Sequence, residues 1–428
     1  MRDGMMCGYE RGDWMVTPAT RSDCAELDKH DPLARMREEF TLPDGVIYLD
    51  GNSLGPLPRA ASERVRELVD VEWGEGLVRS WNDAGWFDKP RTLGARIAPL
   101  VGAQPDEVVV CDSTSINLFK VLSAALRLRP GRSTVVTEAG GFPTDLYIVE
   151  GATSSAKGYR RKLLYDGQDL AEVLDDDVAV VVLGHVDYRT GRLRDMARMT
   201  DQVHRAGALM IWDVCHSVGA LPVRLGDCGV DFAVGCTYKY LNGGPGSPAF
   251  AFAARRHQHD ARQPLSGWHG HADPFAFSAE YQPAPGISRF LVGTPPVVSY
   301  APLESSLDIW SRVDMGRVRA KSVAMTSLFV TLVEAECAGH GLEIASPLDP
   351  EERGSQVSLR HPDGYRIIRA LIERGVIGDF RTPDMLRFGF TPLYLRYADV
   401  WDAVVRLRDV LESGVWREER FGAPATVT

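Results

Sequence analysis

The chain has 428 residues, 44% of them hydrophobic and 25% charged, a balance ordinary for a globular protein and enough for two or three domains. Its formal net charge of −10 argues against a nucleic-acid partner, because phosphate binding wants a concentrated basic face. No apolar run approaches the roughly 18 residues of a membrane-spanning helix, so no membrane association is expected.

Residues 1–20 mix charges early and lack an apolar centre, so they are expected to form a loose tail rather than a signal peptide. Residues 1–45 are assigned to this tail and a helix. "PRAASERVRELVDVEW" (58–73) predicts an amphipathic helix with Pro58 in its first turn. Short β-rich runs then alternate with helical patterns. "VVVC" (108–111) precedes the helix "INLFKVLSAALRL" (116–128), and "STVVTE" (133–138) follows. "VAVVVLGH" (178–185) comes next, then a helix over 194–207 ending at Gly207, then "ALMIWD" (208–213) and "VDFAVGCT" (230–237). Continuous apolar strands separated by helices predict an α/β fold with a mainly parallel sheet covered on both faces. Residues 274–297, rich in proline and aromatics, predict a long irregular segment of the kind that often carries function. Beyond residue 302 the pattern changes to a long helix (302–338), a helix over 364–376, the alternating "MLRFGF" (385–390) and a last helix at 397–413. The expected division is a large domain over 46–302 and a smaller α+β domain over 303–428.

Seven cysteines, odd in number and without a CxxC, read as reduced thiols in a cytoplasmic protein. The pairs His257/His259 and His269/His271 lack neighbouring ligands, so no metal site is assigned. "GGPG" (243–246) lacks the lysine and spacing of a P-loop and reads as a tight turn.

Ligands of open α/β sheets sit beyond the carboxyl ends of the strands. Asp213 closes one strand, and Lys239 follows another in "CTYKYLNGGPG". "DSTS" (112–115) opens a helix, whose free N–H groups suit an anion. Plain capping by Asp112 and Ser113 is an equally open reading of that stretch. Burying an ammonium costs several kcal/mol unless it is paired or neutralised, and lysines so placed are often Schiff-base nucleophiles. A lysine, an upstream aspartate and a phosphate-type helix end together point to pyridoxal 5′-phosphate (PLP).

Seven stretches in register resemble kynureninase: "YLDGNSLGPLP" (48–58), "CDSTSINLFKVL" (111–122), "GGFPTDLY" (140–147), "HVDYRTG" (185–191), "DVCHSVGALP" (213–222), "VDFAVGCTYKYLNGGPGSPAF" (230–250) and "PLSGWHGH" (264–271). "LRFGFTPLYLRYADV" (386–400) adds a weaker match. The resemblance implies a PLP enzyme of fold type I, aspartate aminotransferase-like, with a large domain and a smaller C-terminal one. It implies a homodimer with active sites at the subunit interface, and hydrolysis of L-kynurenine to anthranilate and L-alanine. Carried over, Lys239 holds the cofactor aldehyde, Asp213 partners the pyridinium nitrogen, and His216 lies beside the ring. Phe142 stacks on the ring with Asp145 nearby, and Thr114 and Ser115 sit at the phosphate. Tyr238 combines a phosphate contact with proton donation. Trp268 and Thr294 reach the neighbouring subunit's site. Arg387 clamps the substrate α-carboxylate, with Ser53 and Trp81 among the substrate contacts. Trp81 and Thr294 flank the aryl group and imply a preference for L-kynurenine over 3-hydroxy-L-kynurenine. One departure stands out: Gly184 occupies a position where the pattern usually has a hydroxyl residue and a cofactor contact. The alternative within the same fold is a cysteine desulfurase, lyase or aminotransferase; a desulfurase needs a nucleophilic cysteine on a mobile loop, and Cys337 lies in a helical pattern instead.

Overall fold

The computed structural model of the protein describes residues 20–155 and 157–422; the expected tail over residues 1–19 lies outside them. The centre is a seven-stranded sheet in the order Val108–Val110, Phe250–Ala253, Phe232–Gly235, Leu209–Asp213, Val178–Gly184, Thr134–Glu138, Arg160–Leu164. The five strands from Phe232–Gly235 to Arg160–Leu164 are mutually parallel, while Phe250–Ala253 runs antiparallel to both its neighbours. The central strands are apolar along their length because helices cover both faces. In Val178–Gly184 every residue before Gly184 is buried.

The apolar periodicity places most elements where the sequence predicts them. Helix Thr114–Arg127 follows the first strand, and helix Met196–Arg205 ends at Gly207, which takes φ +75°. Two sheet strands escape the sequence pattern. Arg160–Leu164 is an edge strand of "RRKLL", exposed enough to carry charge, and Phe250–Ala253 has four residues and no following helical repeat. Three expectations change. The pattern over 302–338 is two helices, Val297–Trp310 and Met315–Glu336, because Asp314 caps the second by accepting from the Arg317 amide at 2.9 Å. The helix at 58–73 is α-helical only over Arg59–Glu67 and continues as a π-helical turn over Leu68–Trp73. Pro58 is its N-cap rather than part of the first turn.

A four-stranded antiparallel sheet forms the core of the C-terminal part, in the order Glu343–Ile344, Gln356–Arg360, Met385–Gly389, Asp379–Arg381. The expected boundary at 302/303 falls inside helix Val297–Trp310. The N-terminal helix Arg21–His30 docks on this C-terminal part. Asp28 accepts from the Tyr397 and Ala398 amides, and Arg21 pairs with Asp402 at 2.6 Å. Residues 47–55 then tie the two parts together. Ile47–Tyr48 runs parallel to Val376–Ile377, and the Gly55 amide donates to Tyr238 O at 2.8 Å.

Candidate active site

The parallel strands deliver their carboxyl ends to one cavity of about 590 Å³. Glu138, Gly184 and Asp213 end three of them, and Tyr238 and Lys239 follow the fourth. This is where an open α/β sheet leaves room for a ligand. Thr114, Ser115, Phe142, Asp145 and His216 line the same space. Eight of the residues singled out in the sequence therefore converge on a single cavity.

Half-buried Lys239 is distinguished from the buried Lys120 and Lys321 by its partner. Lys120 is satisfied by Asp112, by Phe290 O at 2.6 Å and by the Cys111 thiol. Lys321 is satisfied by Asp31 and two carbonyls. Lys239 Nζ instead meets His216 Nε2 at 2.9 Å and lies 5.8 Å from the Phe142 ring centroid. Burial, and then the Lys239 charge, hold the His216 imidazole well below its usual range, so the ring is neutral. With Nε2 accepting from the ammonium, the proton sits on Nδ1, which is buried and has no protein partner. Lys239 is thus bound by no carboxylate among the described residues and lines the open cavity, whereas Lys120 and Lys321 are held by carboxylates and carbonyls.

Opposite the lysine stands a pair of carboxyls. Burial first, and then Asp213 beside it, push Asp145 well above the usual carboxylate range. Burial and the neighbouring Asp213 charge thus favour the protonated form of Asp145. Asp213 is oriented by the Cys215 amide, which donates to its Oδ1 at 2.7 Å. A cationic ring nitrogen set against this pair would supply the positive charge that it lacks. At the other end, Ser113 caps helix Thr114–Arg127 by accepting from the Ile116 amide at 3.4 Å, and Thr114 and Ser115 face the cavity in the first turn. Asp112 precedes them at φ +48°, and its charge is taken up by Lys120 at 2.5 Å, leaving the helix end free to attract an anion. The capping reading of "DSTS" holds for Ser113, while Asp112 pairs with Lys120 instead. The donor set fits PLP: a lysine for the aldehyde, a carboxyl pair for the ring nitrogen and a helix N-terminus for the phosphate.

Burial raises the Tyr238 phenol above its ordinary range, followed by the neighbouring Cys236 and Cys215, so it is protonated at neutral pH. The turn after Lys239 needs its glycines. Asn242, Gly244 and Gly246 all have positive φ, and a Cβ on Gly243 would lie 2.6 Å from Ser247 Oγ. At Gly184 a Cβ would meet only Val186 O, at 3.6 Å, so the space for a side chain is open and unused.

Arg387 sits beside this cavity, 2% exposed, on strand Met385–Gly389. It pairs with Asp379 directly opposite on the neighbouring strand and donates to Tyr188 O at 2.5 Å and Ser53 Oγ at 3.1 Å. Burial pushes the Asp379 carboxyl up, but Arg387 and Arg381 outweigh it and hold it below the usual range. Asp379 and Arg381, and the buried Glu138–Arg194 pair on the cavity wall, escape sequence reasoning. Their roles arise from contacts between distant segments; only the strand pattern around "DFR" (379–381) hints at them.

Trp81, Trp268 and Thr294 are not brought to Lys239 within this chain. Trp81 and Trp268 pack edge to face at 5.7 Å in a separate depression of about 750 Å³, lined by the exposed Phe275 and Phe277, and Thr294 is exposed. The two H-x-H pairs scatter: His257 bonds Asp231, His259 bonds Asp260, and His269 and His271 bond the Phe87 and Glu280 carbonyls. Cys337 ends a helix with 3% exposure, and its burial pushes the thiol up to about 12, so it is no nucleophile on a mobile loop.

Comparison with known proteins agrees with this geometry. The profile described as kynureninase C-terminal domain matches residues 318–407. A kynureninase from Burkholderia mallei is 54% identical over 414 residues, covering 96% of this chain and all of that one. A kynureninase from Pseudomonas fluorescens is 51% identical over the same span. Among solved structures, the cysteine desulfurase CsdA from Escherichia coli superposes with a TM-score of 0.74 at 18% identity, over 89% of this chain and 98% of that one. A variant of C-DES, with glycine covalently linked to its PLP cofactor, superposes at 0.75 and 18% identity, over 87% and 99%. These likenesses establish the fold as PLP fold type I.

Proposed function

The chain belongs to the kynureninase family, and from that premise we propose how its own residues carry the family's reaction. That reaction is the PLP-dependent hydrolysis of L-kynurenine to anthranilate and L-alanine, by cleavage between Cβ and Cγ. When bound, PLP supplies an aldehyde for the substrate amine and a cationic ring that withdraws electrons from Cα.

Lys239 holds that aldehyde at rest. It would be the group placed to carry the Cα proton, with neutral His216 beside it at 2.9 Å as a hydrogen-bond acceptor. Asp213, oriented by the Cys215 amide, would hold the ring nitrogen in its cationic form. Phe142 covers the ring, and the helix end at Thr114 and Ser115 takes the phosphate. Water adds to the γ-carbonyl, and the carbon–carbon bond breaks toward Cβ. Tyr238, kept protonated by burial, delivers a proton to the alanine Cβ, directly or through water. Arg387, with Ser53, stands at the substrate carboxylate.

Trp81, Trp268 and Thr294 serve the site of a second copy. Their distance from the Lys239 cavity and the exposed aromatic rim around them support a homodimer. Among the described residues no helix is long and apolar enough to cross a membrane. All six described cysteines are free, which supports a reducing, cytoplasmic setting.

The observation that carries the assignment is Lys239 against a neutral histidine, in one cavity with the carboxyl pair Asp213 and Asp145. The buried Cys337 disfavours a desulfurase. The test is fluorescence of anthranilate released from L-kynurenine by the PLP-loaded protein. One alanine per anthranilate is expected, with Lys239→Ala inert; sulfide release from cysteine without anthranilate would reverse the assignment.

A further inference from the structure

Two cysteines meet beneath the cavity. Strands Leu209–Asp213 and Phe232–Gly235 are parallel neighbours, with Asp213 level with Val234. The same register carried two residues on sets Cys215 level with Cys236. The Cys236 amide donates to Cys215 Sγ at 3.1 Å, and the Cys236 thiol points at Cys215 O, 3.9 Å away. Adjacent strands lie about 4.8 Å apart, inside the Cα spacing that a disulfide spans. The two thiols differ in access: Cys215 lines the cavity, and Cys236, 1% exposed, lies behind it.

This pair is tied to the site on both sides. The Cys215 amide orients Asp213, and its thiol lies 3.7 Å from Thr114 Oγ1, in the first turn of the helix at the phosphate end. Cys236 stands just before Tyr238 and Lys239 in the chain. The thiols also act on each other. Cys236, and then burial, push Cys215 well above the usual thiol range. Burial pushes Cys236 up as well, but the Cys215 thiol and the Lys239 charge outweigh it and bring it down.

We infer that Cys215 and Cys236 form a reversible disulfide when the cavity is empty of PLP, and that this bond blocks cofactor loading. The oxidant is hydrogen peroxide, small enough to enter the cavity. The Cys215 thiolate attacks one peroxide oxygen; the O–O bond breaks, and the departing hydroxide takes the thiol proton and leaves as water. The Cys236 thiolate, favoured by the Lys239 charge, then attacks the sulfenic sulfur. An S–S bond forms, the S–O bond breaks, and the hydroxyl leaves with the Cys236 proton as a second water. The two thiols lose two electrons, and one peroxide is reduced to two waters. Drawing the sulfurs together takes Cys215 Sγ from the Cys236 amide and from Thr114. It also pulls on the backbone that sets Asp213 and Lys239. PLP, held between Asp213 and the helix end at Thr114, covers Cys215 and protects it. The inference rests on PLP as the occupant of the cavity and is independent of the substrate.

The test treats the full chain with hydrogen peroxide, both PLP-loaded and after removal of PLP. Disulfides are mapped by mass spectrometry without reduction, and PLP uptake is followed by absorbance. The cofactor-free protein is expected to yield peptides linked through Cys215 and Cys236. Its PLP affinity should fall roughly tenfold or more, and dithiothreitol should restore it. The loaded protein should stay reduced at the same dose. Cys215→Ala should bind PLP equally before and after peroxide. Cys236→Ser should lose uptake irreversibly, because a sulfenic acid at Cys215 without a resolving thiol goes on to sulfinic acid. Absence of the Cys215–Cys236 linkage from oxidised, cofactor-free wild type would overturn the inference, whichever variants fold. Undiminished PLP uptake by the linked protein, or an equal peroxide loss in Cys215→Ala, would do the same. Absence of anthranilate from L-kynurenine, with the linkage formed, would strike the kynureninase reading and leave this one standing.

Discussion

In the proposed reaction Asp213 is the residue on which the electronics of the site turn. Asparagine has nearly the same shape and retains an oxygen to accept from the Cys215 amide at 2.7 Å, so Asp213→Asn should fold. Its neutral amide gives a cationic ring nitrogen no anionic partner, and Asp145 loses the neighbouring charge that helps to raise it. We expect at least a hundredfold loss of anthranilate release, on the order of 3 kcal/mol, with unchanged Tm; near-normal turnover would remove Asp213 from the role. Asp213 and Lys239 are legible in the sequence because a charged residue at the end of an apolar run has few structural reasons to be there. Arg381 and Asp379 are not, since "DFR" reads as any half-exposed strand until Arg387 is seen opposite Asp379. The neutral state of His216 is equally invisible, being a consequence of burial and of Lys239 at 2.9 Å.

At the scale of elements, the parallel strands are legible from composition, because burial on both faces demands continuous apolar residues. The charged edge strand Arg160–Leu164 and the break between helices Val297–Trp310 and Met315–Glu336 are not, since pairing and a single cap at Asp314 decide them. Asp231 is an element-scale device. It precedes strand Phe232–Gly235 and accepts from the Met210 amide of the next strand, while His204, His257 and Arg256 close around it. Burial pushes its carboxyl up, but those hydrogen bonds outweigh it and hold it well below the usual range. A carboxyl depressed in the folded state contributes stability that is full above its unfolded value, near 4, and is lost as pH falls through the folded one. Thermal unfolding followed from pH 7 downward should therefore show Tm falling below about pH 4. Asp231→Asn should be less stable at pH 7 by roughly 3 kcal/mol and show a flatter acid limb. An acid limb as steep as wild type would place the loss elsewhere.

At the scale of the molecule, the proposed dimer is what gives Trp81, Trp268 and Thr294 a role at an active site. The Lys239→Ala protein lacks the nucleophile, and a Trp268→Ala protein lacks the donated aromatic. Mixed after gentle dissociation, the two inactive proteins should regain up to about a quarter of wild-type activity, since random pairing leaves half of the dimers hybrid, each with one intact site. No recovery would show that each chain completes its own site. The same residues bear on the substrate. A tryptophan face and a single threonine hydroxyl leave an added 3-hydroxyl short of partners, costing roughly 1–3 kcal/mol. The ratio of kcat/KM should favour L-kynurenine over 3-hydroxy-L-kynurenine, and Trp81→His/Thr294→Asn should narrow it. Equal or reversed preference in the wild type would defeat this.

The account as a whole depends on one covalent bond, between Lys239 and the PLP aldehyde. The protein purified with its cofactor is expected to be yellow. Reduction with borohydride, digestion and mass spectrometry should find the pyridoxyl group on the peptide that contains Lys239 and on no other. A pyridoxyl group on Lys120, Lys321 or any other lysine, or none at all in protein that releases anthranilate, would contradict it.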